Sequence, residues 1–221
     1  EMCIRDSVKN IYDPAFPPEL VASDETIERK IEILADSSQP LKLLYFGRYV
    51  AYKGIDRMIE ALRIALQTAP GSLRLYLMGA GPQEEALLAL VKNYDLQDAV
   101  TFGEPVPYGE LFFEKLYSQH LMLAMPLSED TPRSTWDSFA AGLPLLAFDT
   151  HYYRSLAVST GAVDLVSWSS VEEMAKRLAH HARNRGDLIK WSRKAVIAAR
   201  NNTQKIWLDR RLEWINEIMD Q

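Results

Sequence analysis

Apolar runs alternate with amphipathic stretches along most of the chain. From about residue 41 onward, the apolar runs are short and are closed by glycine, proline or polar residues, which is typical of buried strands. The alternation predicts an α/β fold: a Rossmann-like, doubly wound parallel sheet with helices on both faces. The predicted strands are Lys42–Phe46, Ser72–Met78, Ala99–Phe102, His120–Ala124, Leu145–Phe148 and Ala162–Val166.

Helical periodicity is clearest just after the first predicted strand. The apolar residues from Ile55 to Leu66 fall at positions that share one face of a helix, and Ala69-Pro70-Gly71 ends the pattern. This face would pack against the sheet. The other predicted helices are Asp24–Ala35, Gln83–Asn93, Tyr108–Ser118, Ser134–Ala141, Val171–Asn184, Leu188–Ala199 and Gln204–Met219.

The pattern divides the chain into three parts. Residues 1–40 are interpreted as an N-terminal extension or interdomain linker remnant, residues 41–200 as the Rossmann-like domain, and residues 201–221 as a C-terminal helix. The start, Glu1-Met2-Cys3-Ile4-Arg5-Asp6-Ser7, has no periodic pattern and resembles translated adapter sequence, so we expect a truncated fragment; a genuine short disordered terminus is the alternative. The last helix carries an apolar stripe, for which we favour core packing over docking onto a neighbouring domain; it comprises Trp207, Leu208, Leu212, Ile215 and Ile218.

Composition narrows the class of protein. The chain has 221 residues, of which 48% are hydrophobic and 25% charged, as in an ordinary globular domain. A net charge of -5 argues against a broad nucleic-acid-binding surface. The single cysteine, Cys3, excludes an internal disulfide and a cysteine-rich metal site. With no apolar run of membrane-spanning length and no signal-peptide pattern, these features predict a cytoplasmic location.

Four loops follow predicted strands and should converge at the carboxyl edge of the sheet. They are residues 47–54, 79–82, 103–107 and 127–133. In the first of them, Gly47-Arg48 and Lys53-Gly54 place two cations near a helix N-terminus, which suits a diphosphate group. A solvated charged loop is the alternative. The Gly79-Ala80-Gly81-Pro82 turn is weak support for nucleotide binding, because such turns are common.

The most specific pattern is a pair of acids, Glu129 and Asp137, eight positions apart across a loop-to-helix junction. Either acid alone is explained as a surface carboxylate. Combined with Ala141-Gly142-Leu143-Pro144 and the two earlier glycine loops, the pair resembles the C-terminal, donor-binding domain of the group 1 (family 4) glycosyltransferases of GT-B architecture. The resemblance extends from about residue 41 to residue 166.

The resemblance implies a retaining, hexosyltransferase-like enzyme that moves a sugar from a nucleotide-diphosphate sugar to an acceptor hydroxyl, in polysaccharide or glycoconjugate assembly. It implies no cofactor and no metal. It also implies an N-terminal acceptor-binding domain that this chain lacks, so we expect the chain alone to bind nucleotide without catalysing transfer. Any peripheral contact with the inner membrane surface would come through that missing half.

By the same resemblance, Arg48 and Lys53 would hold the diphosphate and act in catalysis, with Gly47, Gly79 and Gly81 beside the donor. Glu129 would contact the transferred sugar and act with the two cations in catalysis, and Asp137 would contact the ribose. The chain departs from the family pattern in two places. Asp137 stands where glutamate is usual, and Asp130-Thr131-Pro132-Arg133 replaces a Gly-Phe-Gly-like turn.

These departures leave alternatives open. Arg133 either replaces the lost amide contacts with charge or forms a salt bridge with Asp130 or Glu129. Asp130 is an alternative to Glu129 as the first functional acid. Glu129, Asp130, Arg133 and Asp137 are all predicted to contact the donor.

Three other functions are compatible with parts of the pattern: a nucleotide-sugar epimerase of similar fold, a non-catalytic nucleotide-binding or scaffold module, and, more weakly, a dehydrogenase domain, which the incomplete glycine fingerprint disfavours. No histidine has metal-ligand spacing. We expect His180 and His181 to lie on a solvated helix face and Trp136 to serve packing. His151-Tyr152-Tyr153-Arg154 follows a strand and is placed to reach the cleft.

Overall fold

The computed structural model describes residues 11–219, which form one six-stranded parallel sheet with the order β3-β2-β1-β4-β5-β6. The strand order reverses between β1 and β4, which pair through Leu43 with Leu121 and Leu44 with Met122. The predicted fold class is confirmed. The strands are β1 (Leu41–Phe46), β2 (Leu73–Met78), β3 (Val100–Gly103), β4 (Leu121–Ala124), β5 (Leu145–Phe148) and β6 (Val163–Val166).

Helices cover both faces of this sheet, and each predicted helix is present with its ends within two residues of the prediction. The helices are α1 (Asp24–Ala35), α2 (Ile55–Thr68), α3 (Glu84–Asn93), α4 (Glu110–Tyr117), α5 (Ser134–Ala140), α6 (His151–Thr160), α7 (Val171–Arg183), α8 (Gly186–Arg200) and α9 (Gln204–Met219). Short 3-10 turns at Pro18–Leu20 and Ala51–Lys53 add to them. None of the helices between residues 11 and 219 combines the length and apolar character needed to cross a membrane.

Helix α6 is absent from the sequence prediction. Only Tyr153 and Leu156 among its 10 residues are buried, so its sequence shows no sustained apolar stripe. Its start is fixed locally instead, because Thr150 caps it by accepting a hydrogen bond from the Tyr153 amide.

The core has two layers separated by the sheet. On β1, Leu43 and Tyr45 face a layer built mainly by α2 and α7, whereas Leu44 and Phe46 face a layer built by α4, α5, α6 and α8. Alternate strand residues point to opposite faces. Both faces of the central strand are therefore buried, which explains why its sequence is apolar almost throughout.

Helix α1 packs onto this domain although it precedes residue 41. It contacts α8. The Lys30 ammonium donates a hydrogen bond of 2.8 Å to the Ala141 carbonyl just after α5, and burial holds the pKa of Lys30 well below its usual value. The domain boundary at residue 40 stays a prediction, and Glu1–Ser7, with Cys3, lies outside the described residues.

The apolar stripe of α9 corrects one expectation. Trp207 is buried, but the other four members are at least half exposed: Leu208, Leu212, Ile215 and Ile218. Core packing on this domain therefore holds for Trp207 alone. The reason is geometric, because Trp207 packs against Tyr12 and donates a hydrogen bond to Asn202 Oδ1. One turn later, by contrast, the contact with the domain is made by the polar Arg211, which donates to the Tyr12 carbonyl and Asp13 Oδ1.

Candidate functional site

A cleft of about 440 Å³ opens at the carboxyl ends of β1 and β4. This is the point where the strand order reverses, and in open α/β sheets ligands bind there. Of the predicted site residues, the cleft brings together Gly47, Arg48, Lys53, Asp130 and Arg133. Glu129, Asp137, Gly79 and Gly81 are not part of its lining.

The loop after β1 carries the two predicted cations. Arg48 is exposed, and its guanidinium has no hydrogen bond or ion pair within residues 11–219, while its carbonyl accepts a bond of 2.9 Å from the Tyr45 hydroxyl. The Lys53 ammonium contacts Asp130 Oδ2, and the two side chains are only 18% and 21% exposed. The loop thus presents one unpaired and one paired cation.

Gly54 fixes where Lys53 and the start of α2 lie. Its φ is +66°, and a Cβ at this position would lie 2.0 Å from the Met125 carbonyl oxygen. The Leu127 amide also donates to the Tyr52 carbonyl at 2.8 Å. The loops after β1 and β4 are therefore held against each other, and the N-terminus of α2 follows Lys53 directly. A helix N-terminus favours anions.

The Gly79–Gly81 turn packs against the first loop. The Tyr49 amide donates to the Ala80 carbonyl at 2.9 Å, and the Gln83 amide donates to the Tyr49 carbonyl at 3.1 Å. A Cβ on Gly79 would lie 2.0 Å from the Gly47 carbonyl oxygen, and one on Gly81 would lie 2.5 to 2.9 Å from the Tyr49 backbone. These glycines permit the close approach of two backbones, which accounts for them without any ligand contact.

A second cavity, of about 400 Å³ and mainly apolar, lies beside the cleft. Arg48 and Gly47 line both cavities, and Gly79 lines the second. The sequence placed the loop of residues 103–107 here, but it did not single out Phe112, which sits on α4 and packs on Phe46 with 5.3 Å between ring centroids. The sequence feature that could have indicated Phe112 is the group of aromatic residues to which it belongs, since Tyr108 and Phe113 both contact it. The remaining lining residues are Met78, Ala80, Pro105 and Val106.

The two acids of the loop after β4 point to different partners. Glu129 Oε1 accepts a hydrogen bond of 3.0 Å from the His151 amide, so this carboxylate caps the start of α6 and lies outside the cleft lining. Asp130 lies in the cleft against Lys53. In this structure, then, Asp130 rather than Glu129 is the carboxylate placed beside the predicted diphosphate lysine.

Asp137 lies in α5 and is buried. Its Oδ1 accepts a hydrogen bond of 2.8 Å from the Tyr108 hydroxyl. Burial raises the pKa of Asp137 to about 6, against the opposing effects of the Tyr108 hydrogen bond and the positive charge of Arg133. A carboxyl group of this kind gains or loses its proton near neutral pH. Tyr108, which the sequence analysis missed, occupies one oxygen of the predicted ribose ligand.

Arg133 forms neither of the salt bridges considered from sequence. Its nearest carboxylate is that of Asp13, at 3.9 Å, and its side chain is mostly exposed. It lines the cleft next to Pro132 and Ser134.

The histidines and aromatic residues give mixed outcomes. His180 is exposed as predicted, but His181 is buried, with its Nε2 2.7 Å from Asp164 Oδ2, so the solvated-face prediction is wrong for it. Consecutive residues of a helix point in different directions, so His181 faces Asp164 of β6 whereas His180 faces solvent. Trp136 is buried and packs on Phe139, which confirms its packing role. From the His151–Arg154 segment, Tyr153 reaches the cleft.

Among residues 11–219, no group of three or more His, Cys, Asp or Glu side chains lies where it could hold a metal ion. The cleft instead offers cationic groups, a helix N-terminus and an apolar cavity next to them. This set of groups can bind a diphosphate that carries a flat apolar substituent.

Comparison with known proteins identifies related sequences. The family model described as glycosyl transferases group 1 matches residues 26–198. An uncharacterized glycosyltransferase of Haemophilus influenzae is 26% identical over 137 residues, which make up 62% of this chain and 38% of that protein. This chain therefore spans less than two fifths of the length of that curated relative.

Solved structures share the fold. HepE of Anabaena in complex with UDP is 17% identical with a TM-score of 0.75, and the match covers 95% of this chain and 57% of HepE. WaaG, a glycosyltransferase involved in lipopolysaccharide biosynthesis, is 19% identical with a TM-score of 0.71, covering 88% of this chain and 53% of WaaG. At these identities the matches show the architecture, which is that of GT-B glycosyltransferases.

Proposed function

The chain belongs to the group 1 glycosyltransferases, and from this we propose that it is the donor-binding half of a retaining, family 4 hexosyltransferase. The full enzyme would transfer a sugar from a nucleoside diphosphate to an acceptor hydroxyl during polysaccharide or glycoconjugate assembly. The single observation that carries the proposal is the position of Arg48 and Lys53 together in the cleft, where the strand order reverses.

The arrangement suggests how a donor would lie. The diphosphate would sit between Arg48, Lys53 and the N-terminus of α2, and the base would enter the apolar cavity that shares Arg48 with the cleft. Negative charge grows on the diphosphate as the sugar leaves, and fixed cations stabilise that charge. We propose that these two cations do so without a metal ion or other cofactor.

The sugar and ribose contacts belong to the same proposal. Asp130, and Glu129 if it is released from the His151 amide, are the acids available to the transferred sugar. Asp137 would accept the ribose hydroxyls, sharing its carboxylate with Tyr108 or replacing that hydrogen bond. UDP is the first nucleotide to examine, because the HepE structure that shares this fold contains it.

The acceptor is proposed to bind on a separate N-terminal domain. The chain accounts for only 38% of its curated relative and 57% of HepE, and sugar transfer would need the remainder. The chain alone would then bind the donor without transferring its sugar. Any membrane contact would likewise involve that other domain, and the whole enzyme would act in the cytoplasm or at the inner membrane surface.

Calorimetric titration with UDP, GDP and ADP tests the proposal. One nucleotide should bind saturably, and Arg48→Ala should weaken its binding by about 1–3 kcal/mol, the range for a lost hydrogen bond to a charged group. Arg29→Ala is the matched control, because Arg29 is an exposed arginine of α1 that pairs with Glu25. If the folded chain binds none of the three nucleotides, or binds one equally well without Arg48, the proposal fails and a non-catalytic scaffold module is favoured.

A further inference from the structure

The cleft already contains a negative charge at the position proposed for the diphosphate. Asp130 Oδ2 contacts the Lys53 ammonium, and about four fifths of each side chain is buried. Arg48, the other cleft cation, has no hydrogen bond or ion pair from its guanidinium in the part of the chain that the structure describes. The two cations are therefore in different electrostatic states before any ligand binds.

The backbone around Lys53 leaves it little room to move away from the cleft. Lys53 ends a 3-10 turn, and Gly54 after it is held against the Met125 carbonyl oxygen. The Tyr52 carbonyl accepts a hydrogen bond from the Leu127 amide. Asp130, by contrast, belongs to a turn, residues 130 to 133, whose residues are exposed or only partly buried. The Lys53–Asp130 contact would therefore break by movement of the Asp130 side chain.

We propose that Asp130 competes with the donor diphosphate for Lys53 and so sets the affinity of the site. This inference rests on the proposed function and adds a residue that governs it. In the empty site the Asp130 carboxylate neutralises Lys53. A diphosphate enters through Arg48 and displaces the carboxylate from Lys53, since it carries more negative charge than one carboxylate. After transfer, the return of Asp130 to Lys53 favours release of the nucleoside diphosphate.

The opposite role for Asp130 makes the opposite prediction. If Asp130 held Lys53 in its productive position while the diphosphate was bound, removal of the carboxylate would weaken binding. Competition instead requires that its removal strengthen binding, because a charged contact no longer has to be broken. The sign of the change in affinity separates the two roles.

The test is titration of wild type and Asp130→Asn with UDP and with inorganic pyrophosphate, which needs no base contact. We expect Asp130→Asn to bind both ligands about ten- to a hundredfold more tightly, the equivalent of one charged hydrogen bond. Asp149→Asn is the matched control: Asp149 also follows a strand of the sheet and pairs with an arginine, Arg154, at 2.8 Å, but does not line the cleft. It should change either affinity by less than about twofold.

A double-mutant cycle with Lys53→Ala shows whether the effect passes through Lys53. In that background, Asp130→Asn should no longer tighten binding. Thermal unfolding checks that each variant is folded, and Asp130→Ser provides a second replacement. Unchanged or weaker binding in a folded Asp130→Asn protein would overturn this inference while the proposed function stands. If neither wild type nor Asp130→Asn bound UDP or pyrophosphate, the proposed function itself would fail.

Discussion

The Tyr108 hydroxyl holds the buried Asp137 carboxylate through a hydrogen bond of 2.8 Å, and this contact ties the loop before α4 to the first turn of α5. Burial raises the pKa of Asp137 to about 6. A carboxyl group with a raised pKa disfavours the folded state once it ionises. The ribose ligand predicted from sequence is thus a residue that lowers stability at neutral pH.

Asp137→Asn should therefore stabilise the protein at pH 8 but not at pH 4. The wild-type contribution is fully present below the unfolded pKa of 3.8 and is lost as pH rises through about 6. Denaturant unfolding should show a stability advantage for the variant that grows by about 1–3 kcal/mol between pH 4 and pH 8. A stability difference between wild type and Asp137→Asn that does not change with pH would contradict this prediction. Tyr108→Phe, which removes the donor, should lower stability at pH 8.

Gly81→Ala should destabilise the protein more than Gly109→Ala. Both glycines have positive φ, at +158° and +142°, but a Cβ on Gly81 would lie 2.5 Å from the Tyr49 carbonyl oxygen, whereas a Cβ on Gly109 meets nothing within 4 Å. The excess cost should be about 1–3 kcal/mol in the free energy of unfolding, the usual range for overpacking. Equal costs would show that the two loops part easily.

His120 should give the protein an acid-sensitive component of stability. It is buried, its Nδ1 accepts a hydrogen bond of 3.1 Å from the Lys42 amide, and burial lowers its pKa to about 3. Because its folded pKa is depressed, its contribution is present above the unfolded pKa of 6.5 and is lost as pH falls toward 3.

The measurement compares wild type with His120→Asn, whose side-chain oxygen can accept the same bond. Between pH 7 and pH 5, wild type should lose about 1–2 kcal/mol more than the variant. Parallel pH profiles for the two proteins would mean that His120 becomes protonated in the folded state.

The stripe of α9 predicts two different mutational costs along one helix. Leu212→Gln combined with Ile215→Gln should leave the free energy of unfolding within about 0.5 kcal/mol of wild type, because both side chains are more than half exposed. Trp207→Ala should cost about 3–5 kcal/mol, since Trp207 is buried against Tyr12. A large cost for the double variant would place the stripe in a contact that forms in solution.

The sheet could be predicted because its strands are buried on both faces. A run such as Leu41–Phe46 must then be apolar at nearly every position, and each run ends where its loop begins. Helix α6 could not be predicted in this way, since it buries only two side chains and starts from the Thr150 cap. The prediction of core packing was wrong for the exposed residues of α9, because a stripe of apolar residues has the same sequence pattern whether it is buried in the domain or exposed.

The cleft was predictable in its location and less so in its contacts. Loops after parallel strands meet at one edge of the sheet, so the order of strands and loops along the chain is enough to bring Arg48 and Lys53 to one place. Spacing alone could not show that Glu129 would cap α6 or that Asp130 would pair with Lys53, because adjacent residues of a loop can point in opposite directions. Nor could it show Tyr108 on Asp137, a contact between segments 29 positions apart.

The cleft has two walls of different construction, the loop after β1 and the loop after β4. One wall is built of backbone hydrogen bonds and glycines that tolerate no Cβ. The other, residues 128 to 133, is held by side-chain pairs such as Lys53 with Asp130 and Arg133 with Asp13. If the cleft binds a donor as proposed, substitutions in the second wall would change which sugar it accommodates, while the first wall would keep the phosphate position fixed. On that proposal, donor preference would change through side chains of one loop without remodelling of the fold.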